Sequence, residues 1–175
     1  MTKAIVYVGL PGTGKSTVAA NQISTSKNWH VYSTDAIIEE IGNKQGKTYN
    51  EVFKDAISDA QKQANELLAN ALATDKNIVW DQTNMSAKKR KSIVNRLAGR
   101  VTTIECNVMM PPTTPEDIAE WETRLANRPG KAIPESIVKS MQGSYECPSL
   151  DEGFSVINFY NIHGRLVSRK YRAET

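Results

Sequence analysis

The chain has 175 residues, of which 39% are hydrophobic and 23% charged, as expected for one soluble globular domain over residues 1–175. This composition excludes intrinsic disorder, and with Cys106 and Cys147 as its two cysteines the chain has neither a disulfide framework nor a four-cysteine zinc cluster. No apolar run approaches the ~18–20 residues of a membrane span, and the N-terminal MTKAIVYVG does not read as a secretory signal. We therefore expect a cytoplasmic protein.

The net charge of +3 is concentrated in two places. Residues 1–162 hold equal numbers of acids and bases, so the excess lies in the C-terminal tail, where only Glu174 faces Arg165, Arg169, Lys170 and Arg172. A second basic stretch contains no acid and carries Lys88, Lys89, Arg90, Lys91, Arg96 and Arg100. Most such runs are solvated helix faces, but they can also hold phosphate backbones, so contact with nucleic acid stays open for both.

Strands and helices are predicted to alternate along the chain. The predicted strands are 4–8, 31–33, 78–80, 101–108 and 154–160, with 165–171 as a hairpin partner of the last. The predicted helices begin at about residue 15, run from 35 to near Gly42, and cover 51–73, 86–97, 115 to about 127, and 134–145. This alternation predicts an α/β fold with a parallel sheet covered by helices on both faces.

A glycine-rich segment after the first strand has the sequence of a phosphate-binding loop, G-x-x-x-x-G-K-[ST], and opens the first helix. Its positions are Gly9, Leu10, Pro11, Gly12, Thr13, Gly14, Lys15 and Ser16. The glycines let backbone N–H groups surround phosphate oxygens. Lys15 would reach the β- and γ-phosphates, the Ser16 hydroxyl would ligate Mg²⁺, and Thr17 could contact the α-phosphate. The glycine spacing does not fit a dinucleotide site, so we predict binding of a nucleoside triphosphate.

The class of phosphate-loop protein follows from the signatures that the chain lacks. A GTPase needs N-K-x-D, but the Asn-Lys pair at 43–44 continues with Gln45-Gly46. The chain is too short for a motor or a helicase. A compact kinase remains, and phosphoryl transfer then requires a proton acceptor, an acid beside the metal and cations for the transition state.

Two aspartates follow predicted strands and would lie at the same sheet edge as the phosphate-binding loop. Asp35 could take the proton of an attacking hydroxyl, or it could simply cap the next helix. Asp81 could ligate Mg²⁺, or it could belong to a capping turn, and the polar Thr83 and Asn84 follow it at once.

Two arginines lie one helical turn apart, before a Pro-Gly turn. Arg124 and Arg128 face the same way, and the turn could hinge a small lid of residues 115–145 over the nucleotide. The alternative is a pair of exposed surface arginines.

Taken together, these motifs resemble the 5′-hydroxyl polynucleotide kinases of bacteriophages. The likeness rests on GLPGTGKST, on Asp35 twenty residues after Lys15, and on IVWDQTN followed by Arg90. It also rests on R-x-x-x-R-P-G-K-A-I-P before a helix that contains Lys139-Ser140-Met141. The resemblance covers nearly the whole chain and implies a P-loop kinase three-layer sandwich, similar to adenylate kinase, with a small helical lid.

The resemblance further implies ATP- and Mg²⁺-dependent phosphorylation of the 5′-OH end of DNA or RNA, in a host cytoplasm if the protein is phage-encoded. Asp35 would be the general base, and Lys15 and Arg128 would stabilise the transferred group, with Arg124 assisting from the lid. The acceptor strand would be held by Asp35, Thr83, Asn84 and Arg90.

One position departs from the family pattern, which places an arginine three residues after the catalytic aspartate to grip the acceptor phosphate. Here that residue is Ile38, and Arg90 or the basic run 88–91 would have to replace it. The departure keeps open a kinase for a smaller acceptor, such as a nucleoside, a modified base in DNA or a metabolite. A protein that binds ATP as a switch is a further alternative. The family's D-x-D-x-[TV] phosphatase motif is absent from the sequence, so we expect no 3′-phosphatase activity.

Overall fold

The computed structural model of the chain describes residues 1–24, 26 and 28–172. The strands in these residues are β1 Lys3–Val8, β2 Trp29–Tyr32, β3 Asn77–Trp80, β4 Thr103–Met109, β5 Val156–Tyr160 and β6 Leu166–Tyr171. The helices are α1 Lys15–Ile23, α2 Thr34–Gln45, α3 Tyr49–Ala73, α4 Ala87–Leu97, α5 Pro115–Ala126 and α6 Glu135–Gly143, with a 3₁₀ helix at Leu150–Glu152.

All six strands form one sheet in the order β2-β3-β1-β4-β5-β6. Every neighbouring pair is parallel except β5 and β6, which form the expected antiparallel hairpin. Each parallel crossover carries at least one helix, as a parallel pair requires. The predicted α/β fold with its mostly parallel sheet is confirmed.

The sheet is the middle of three layers. On one face, apolar residues of β1, β3, β4 and β5 pack against α3 and α4 through Ala64, Leu68, Ile93 and Leu97. On the other face, Ile5, Tyr7 and Val79 pack against α1. Burial of both faces explains why the central strands read as continuous apolar runs in the sequence.

Helix α2 runs to Gln45 and ends at Gly46, whose φ of 65° is left-handed, so the predicted stop near Gly42 is wrong. Gly42 is buried, and a Cβ there would lie 2.8 Å from the carbonyl oxygen of Lys47. The glycine therefore permits close approach of the following chain rather than ending the helix.

Helices α2 and α3 pack directly on each other. Ile38 is 0% exposed and contacts a small cluster with Val52, Ala56 and Ala60 of α3. The residue three positions after Asp35 therefore faces this helix interface and not the surface. No helix of the described residues is both long and apolar enough to cross a membrane.

The carboxyl ends of the parallel strands place the candidate site. The phosphate-binding loop follows β1, the N-terminus of α2 follows β2, and Asp81 follows β3 directly. Parallel strands deliver these segments to one edge of the sheet, where ligands bind in open α/β folds.

Candidate active site

The phosphate-binding loop is held by close backbone contacts. Gly9 donates its N–H to the carbonyl of Thr83 at 3.0 Å, and a Cβ on Gly9 would lie 2.9 Å from Cβ of Met109. Gly14 caps α1 with a left-handed φ of 97°. Thr13 is buried, and its hydroxyl donates to the carbonyl of Leu10 at 2.7 Å. The loop thus requires glycine at these positions for its shape alone.

Lys15 is buried at the centre of the loop. Its Nζ donates to the carbonyls of Gly9 at 2.9 Å and Leu10 at 2.8 Å. Burial lowers the pKa of Lys15 to about 8, the negative charge of Asp81 opposes this shift, and the positive charge of Arg128 adds to it. A buried ammonium whose partners within the described residues are neutral carbonyls is well suited to bind an anion such as a phosphate.

Ser16 and Asp81 meet at the mouth of the loop, where the Ser16 hydroxyl donates to Oδ2 of Asp81 at 2.9 Å. Ser16 is exposed and Asp81 half-buried, so both oxygens can be reached from the cleft. Hard cations such as Mg²⁺ prefer oxygen ligands of this kind. The pair therefore fits the magnesium site that the sequence predicts.

Asp35 lies in the first turn of α2, but it is not the helix cap. Ser33 is the N-cap, and its hydroxyl accepts from the N–H of Ala36 at 3.3 Å. The Asp35 carboxylate is free of that capping role and instead accepts a hydrogen bond on Oδ1 from the Tyr49 hydroxyl at 2.9 Å. Its other oxygen, Oδ2, lies 3.5 Å from Nζ of Lys131.

Tyr49 and Lys131 were not singled out in the sequence. Tyr49 is half-buried at the start of α3, and its pKa is raised by burial and by the charge of Asp35. The Lys131 ammonium lies 4.6 Å from the Tyr49 ring centroid and also bonds to Glu39. Lys131 belongs to the R-P-G-K turn, and this motif could have identified it as a site residue from the sequence. Tyr49 follows a helix cap, and aromatic residues are too common at such positions to indicate a site.

Helix α5 rests on the phosphate-binding loop. The indole N–H of Trp121 donates to the carbonyl of Pro11 at 2.7 Å, and a Cβ on Gly12 would lie 3.2 Å from Leu125. Arg124 donates to the carbonyl of Ile162 at 2.8 Å and pairs with Glu120. The arginine is therefore half-buried rather than free on the surface.

The turn after α5 sits on the start of α3. The N–H of Asn50 donates to the carbonyl of Gly130 at 2.9 Å, and the Asn50 side chain donates to the carbonyl of Ala132 at the same distance. Arg128 begins this turn and is half-buried, and its Nη1 has no hydrogen-bond partner within the described residues. The segment joins the side of the cleft that holds Lys15 to the side that holds Asp35.

The sequence also assigned Arg90 and Asn84 to acceptor binding, and both assignments are wrong. Arg90 is 0% exposed and forms a two-pronged ion pair with Glu152, with Nε at 2.7 Å and Nη2 at 2.8 Å. Asn84 is also 0% exposed, and its amide donates to the carbonyl of Tyr7 at 2.8 Å. Neither side chain can reach a bound molecule, whereas Thr83 stays half-exposed beside the loop.

The fold and this site define a P-loop protein of the kinase type. The chain belongs to the family described as AAA domain (AAA_33), whose model matches residues 5–148. That match includes the phosphate-binding loop, both aspartates, and the arginines of α5 and the following turn.

Three of the individual proteins that resemble this chain share 26% or less of its sequence. The bifunctional polynucleotide phosphatase/kinase of Schizosaccharomyces pombe is 26% identical over 153 residues, which are 86% of this chain but only 31% of that protein. The solved PezAT chromosomal toxin–antitoxin system of Streptococcus pneumoniae aligns with 100% of this chain and 74% of its own, with a TM-score of 0.68 and 17% identity. The Pnkp1/Rnl/Hen1 complex aligns over 63% of this chain and 36% of its own, with a TM-score of 0.51 and 25% identity. At 17% identity, the match to the toxin–antitoxin system shows only that the fold is shared.

The buried pair of Arg90 and Glu152 leads to a stability prediction. Replacing Arg90 with Ala leaves the Glu152 carboxylate buried without its partner, which costs about 3–5 kcal/mol in the free energy of unfolding. The matched change Lys91→Ala on the exposed face of α4 should cost less than about 0.5 kcal/mol. Urea unfolding followed by circular dichroism measures both, and equal small losses would contradict the structural role of Arg90.

The lowered pKa of Lys15 predicts proton uptake on nucleotide binding. At pH 9 the free protein holds Lys15 largely uncharged, and a bound phosphate favours the charged form, so binding of ADP should take up about one proton. At pH 7 Lys15 is already charged, and its contribution to uptake should be small. Calorimetry without added metal, in two buffers of different ionisation enthalpy, measures the uptake. An equal proton uptake at pH 7 and at pH 9 would contradict the lowered pKa of Lys15.

Proposed function

We propose that the protein is an ATP-dependent kinase that transfers the γ-phosphoryl group to the 5′-OH end of DNA or RNA. The observation that carries the proposal is the convergence of Lys15, Arg128 and Asp35 in one cleft. Helix α5 contacts the loop that holds Lys15 through the hydrogen bond from Trp121 to the carbonyl of Pro11. The turn that begins at Arg128 reaches Asp35, because Nζ of Lys131 lies 3.5 Å from Oδ2 of that carboxylate. A phosphate-binding cation, a second cation and a carboxylate are the groups that this reaction needs.

Positive charge is available for the phosphates from both sides of the cleft. Lys15 and the backbone N–H groups of the loop would bind the β- and γ-phosphates. Nη1 of Arg128 is buried without a hydrogen-bond partner within the described part of the chain, and a transferred phosphoryl group bound against it would supply that partner. Arg124, held by the carbonyl of Ile162, would support the nucleotide from α5.

In the transfer step, the 5′-hydroxyl oxygen attacks the γ-phosphorus, and the new O–P bond forms as the bond to the β-phosphate oxygen breaks. The hydroxyl proton passes to the carboxylate of Asp35, and ADP leaves with the electron pair of the broken bond. Ser16 and Asp81 would hold Mg²⁺. When bound, the ion neutralises negative charge on the phosphate oxygens.

The polynucleotide acceptor is supported by the yeast polynucleotide phosphatase/kinase, which aligns with most of this chain. A kinase for a smaller acceptor is the second candidate. It is favoured by Ile38, because the packing of this residue between α2 and α3 leaves no cation at the position where the resembling family holds the acceptor phosphate.

The proposal predicts that Asp35→Ala abolishes transfer without loss of ATP binding. Without a proton acceptor, the rate should fall by about 10²–10⁴-fold. Transfer from γ-labelled ATP with Mg²⁺ is measured on 5′-OH DNA and RNA oligonucleotides beside free nucleosides. Glu40→Ala is the matched control, because Glu40 lies on the same helix, is exposed and pairs only with Lys44 among the described residues.

The other outcomes of this assay separate the alternatives. Label on nucleosides but not on oligonucleotides supports the smaller acceptor. ATP binding without transfer to any acceptor supports a switch protein. If Asp35→Ala labels oligonucleotides as fast as the wild type, the kinase activity stands, but Asp35 is not its general base.

Tyr49→Phe should lower kcat about 3- to 10-fold, because it removes the hydrogen bond from the Tyr49 hydroxyl to Oδ1 of Asp35 and leaves the ring in place. The KM for ATP should not change, since Tyr49 lies on the acceptor side of the cleft. Phe53→Leu is the control, because Phe53 packs 5.5 Å from the Tyr49 ring and carries no hydroxyl. An equal fall in kcat for both variants would assign the loss to packing and not to the hydrogen bond.

A further inference from the structure

We propose that the exposed basic face of α4 binds the phosphate backbone of the acceptor strand beyond its 5′-OH end. The inference rests on the proposed function and narrows its substrate to a strand several nucleotides long. The α4 basic face consists of the exposed residues Lys88, Lys89, Lys91, Arg96 and Arg100. Arg90, in the midst of these residues, is buried and does not belong to it.

The charge of this face is not neutralised by the protein. Residues 86–100 contain no acid, and within the described chain none of the five cations forms an ion pair with a carboxylate. Two exposed lysines on other helices do form ion pairs, Lys44 with Glu40 on α2 and Lys139 with Glu135 on α6. The α4 basic face therefore presents its full positive charge to an anionic partner.

The face begins beside the candidate active site. Ser86 caps α4 directly after the loop that carries Asp81 and Thr83, and its hydroxyl accepts from the N–H of Lys89 in the first turn at 3.3 Å. Part of the Lys89 side chain is buried, which lowers its pKa, and the negative charge of Asp35 opposes this shift. Because α4 begins directly after the loop that carries Asp81 and Thr83, a strand whose 5′-OH reaches Asp35 would meet the first turn of α4 before the rest of the helix.

The face continues away from the site along the helix. Arg96 follows Lys89 by two turns on the same side, a distance of about 10 Å at the helical rise of 1.5 Å per residue. Measured along the axis of a B-form strand, that distance corresponds to about three nucleotides at the ~3.4 Å axial rise per phosphate. The face is thus long enough for a short segment of strand and longer than a nucleoside needs.

Arg96 is held in place by its surroundings. Its Nη1 donates to Oδ1 of Asn65 at 2.9 Å, and its guanidinium carbon lies 5.6 Å from the Trp80 ring centroid and 5.9 Å from that of Tyr32. The two rings stack on each other with centroids 3.9 Å apart. Both rings are only 3% exposed, so they fix the arginine instead of stacking with a base.

The second basic cluster, on β6, provides an internal control. Strand β6 forms the edge of the sheet opposite β2, so Arg165, Arg169 and Lys170 lie on the far side of the molecule from Asp35. These residues are exposed like the α4 basic face. Neutralising three cations there changes the net charge by the same amount, without touching the proposed path.

The test compares Lys88→Gln/Lys91→Gln/Arg96→Gln, which leaves Lys89 beside the site in place, with Arg165→Gln/Arg169→Gln/Lys170→Gln. Transfer is measured on a 5′-OH 12-mer and on a nucleoside 3′-monophosphate, and binding of a fluorescent single-stranded 12-mer is followed by anisotropy between 50 and 200 mM salt. For the α4 variant we expect the KM for the 12-mer to rise about tenfold, with kcat and the activity on the mononucleotide kept. The slope of log affinity against log salt should fall by about 2, since each lost contact to a single strand removes ~0.7.

An α4 variant with the 12-mer KM and salt slope of the wild type would overturn the inference, as would an equal loss in the β6 variant. Equal loss on the 12-mer and on the mononucleotide would also overturn it, because the damage would then lie in the site itself. If the wild-type protein labels no oligonucleotide, the proposed function fails, and the anisotropy titrations still decide whether α4 binds the strand.

Discussion

The buried ion pair between Arg90 and Glu152 holds together the edge of the sheet that carries the candidate site. Arg90 also donates to the carbonyls of Asn84 at 3.0 Å and Met85 at 2.8 Å. The carbonyl of the preceding residue, Thr83, accepts a hydrogen bond from the N–H of Gly9. One guanidinium thus fixes the loop after β3 against the phosphate-binding loop, and this places Asp81 beside Ser16. The desolvation of both charges is offset because almost every polar atom of the pair has a partner.

The fold was predictable because its local and tertiary signals agree. The central strands lie in apolar runs, the helices carry apolar stripes or capping residues, and the phosphate-binding loop lies between β1 and α1 as expected. The prediction failed at Gly42, where the glycine serves contact between chain segments and not a turn. A single sequence gives no means to separate these two uses of glycine, because the second depends on a partner brought in by folding.

The sequence predicts those site residues that follow directly after strands. It does not predict those that are placed by contacts between distant segments of the chain. Asp35 and Asp81 follow strands, so the common sheet edge brings them to the loop. Tyr49 comes from a different helix, and its role appears only when α3 packs beside α2. Arg90 was misassigned because it lies in a run of exposed cations, while its partner Glu152 is 62 positions away. The periodicity of α4 places Arg90 on the same side as Ile93, Val94 and Leu97, and this was the one warning in the sequence.

The contacts of Asp35 couple its orientation to the turn after α5. One carboxylate oxygen accepts from the Tyr49 hydroxyl of α3, and the other lies 3.5 Å from the ammonium of Lys131 in that turn. Arg128 begins the same turn, and the N–H of Lys131 donates to its carbonyl at 3.0 Å. Under the proposed function, the group that takes the acceptor proton and a cation that stabilises the transferred phosphoryl group therefore share one short segment. A movement of this segment would change the positions of both groups together.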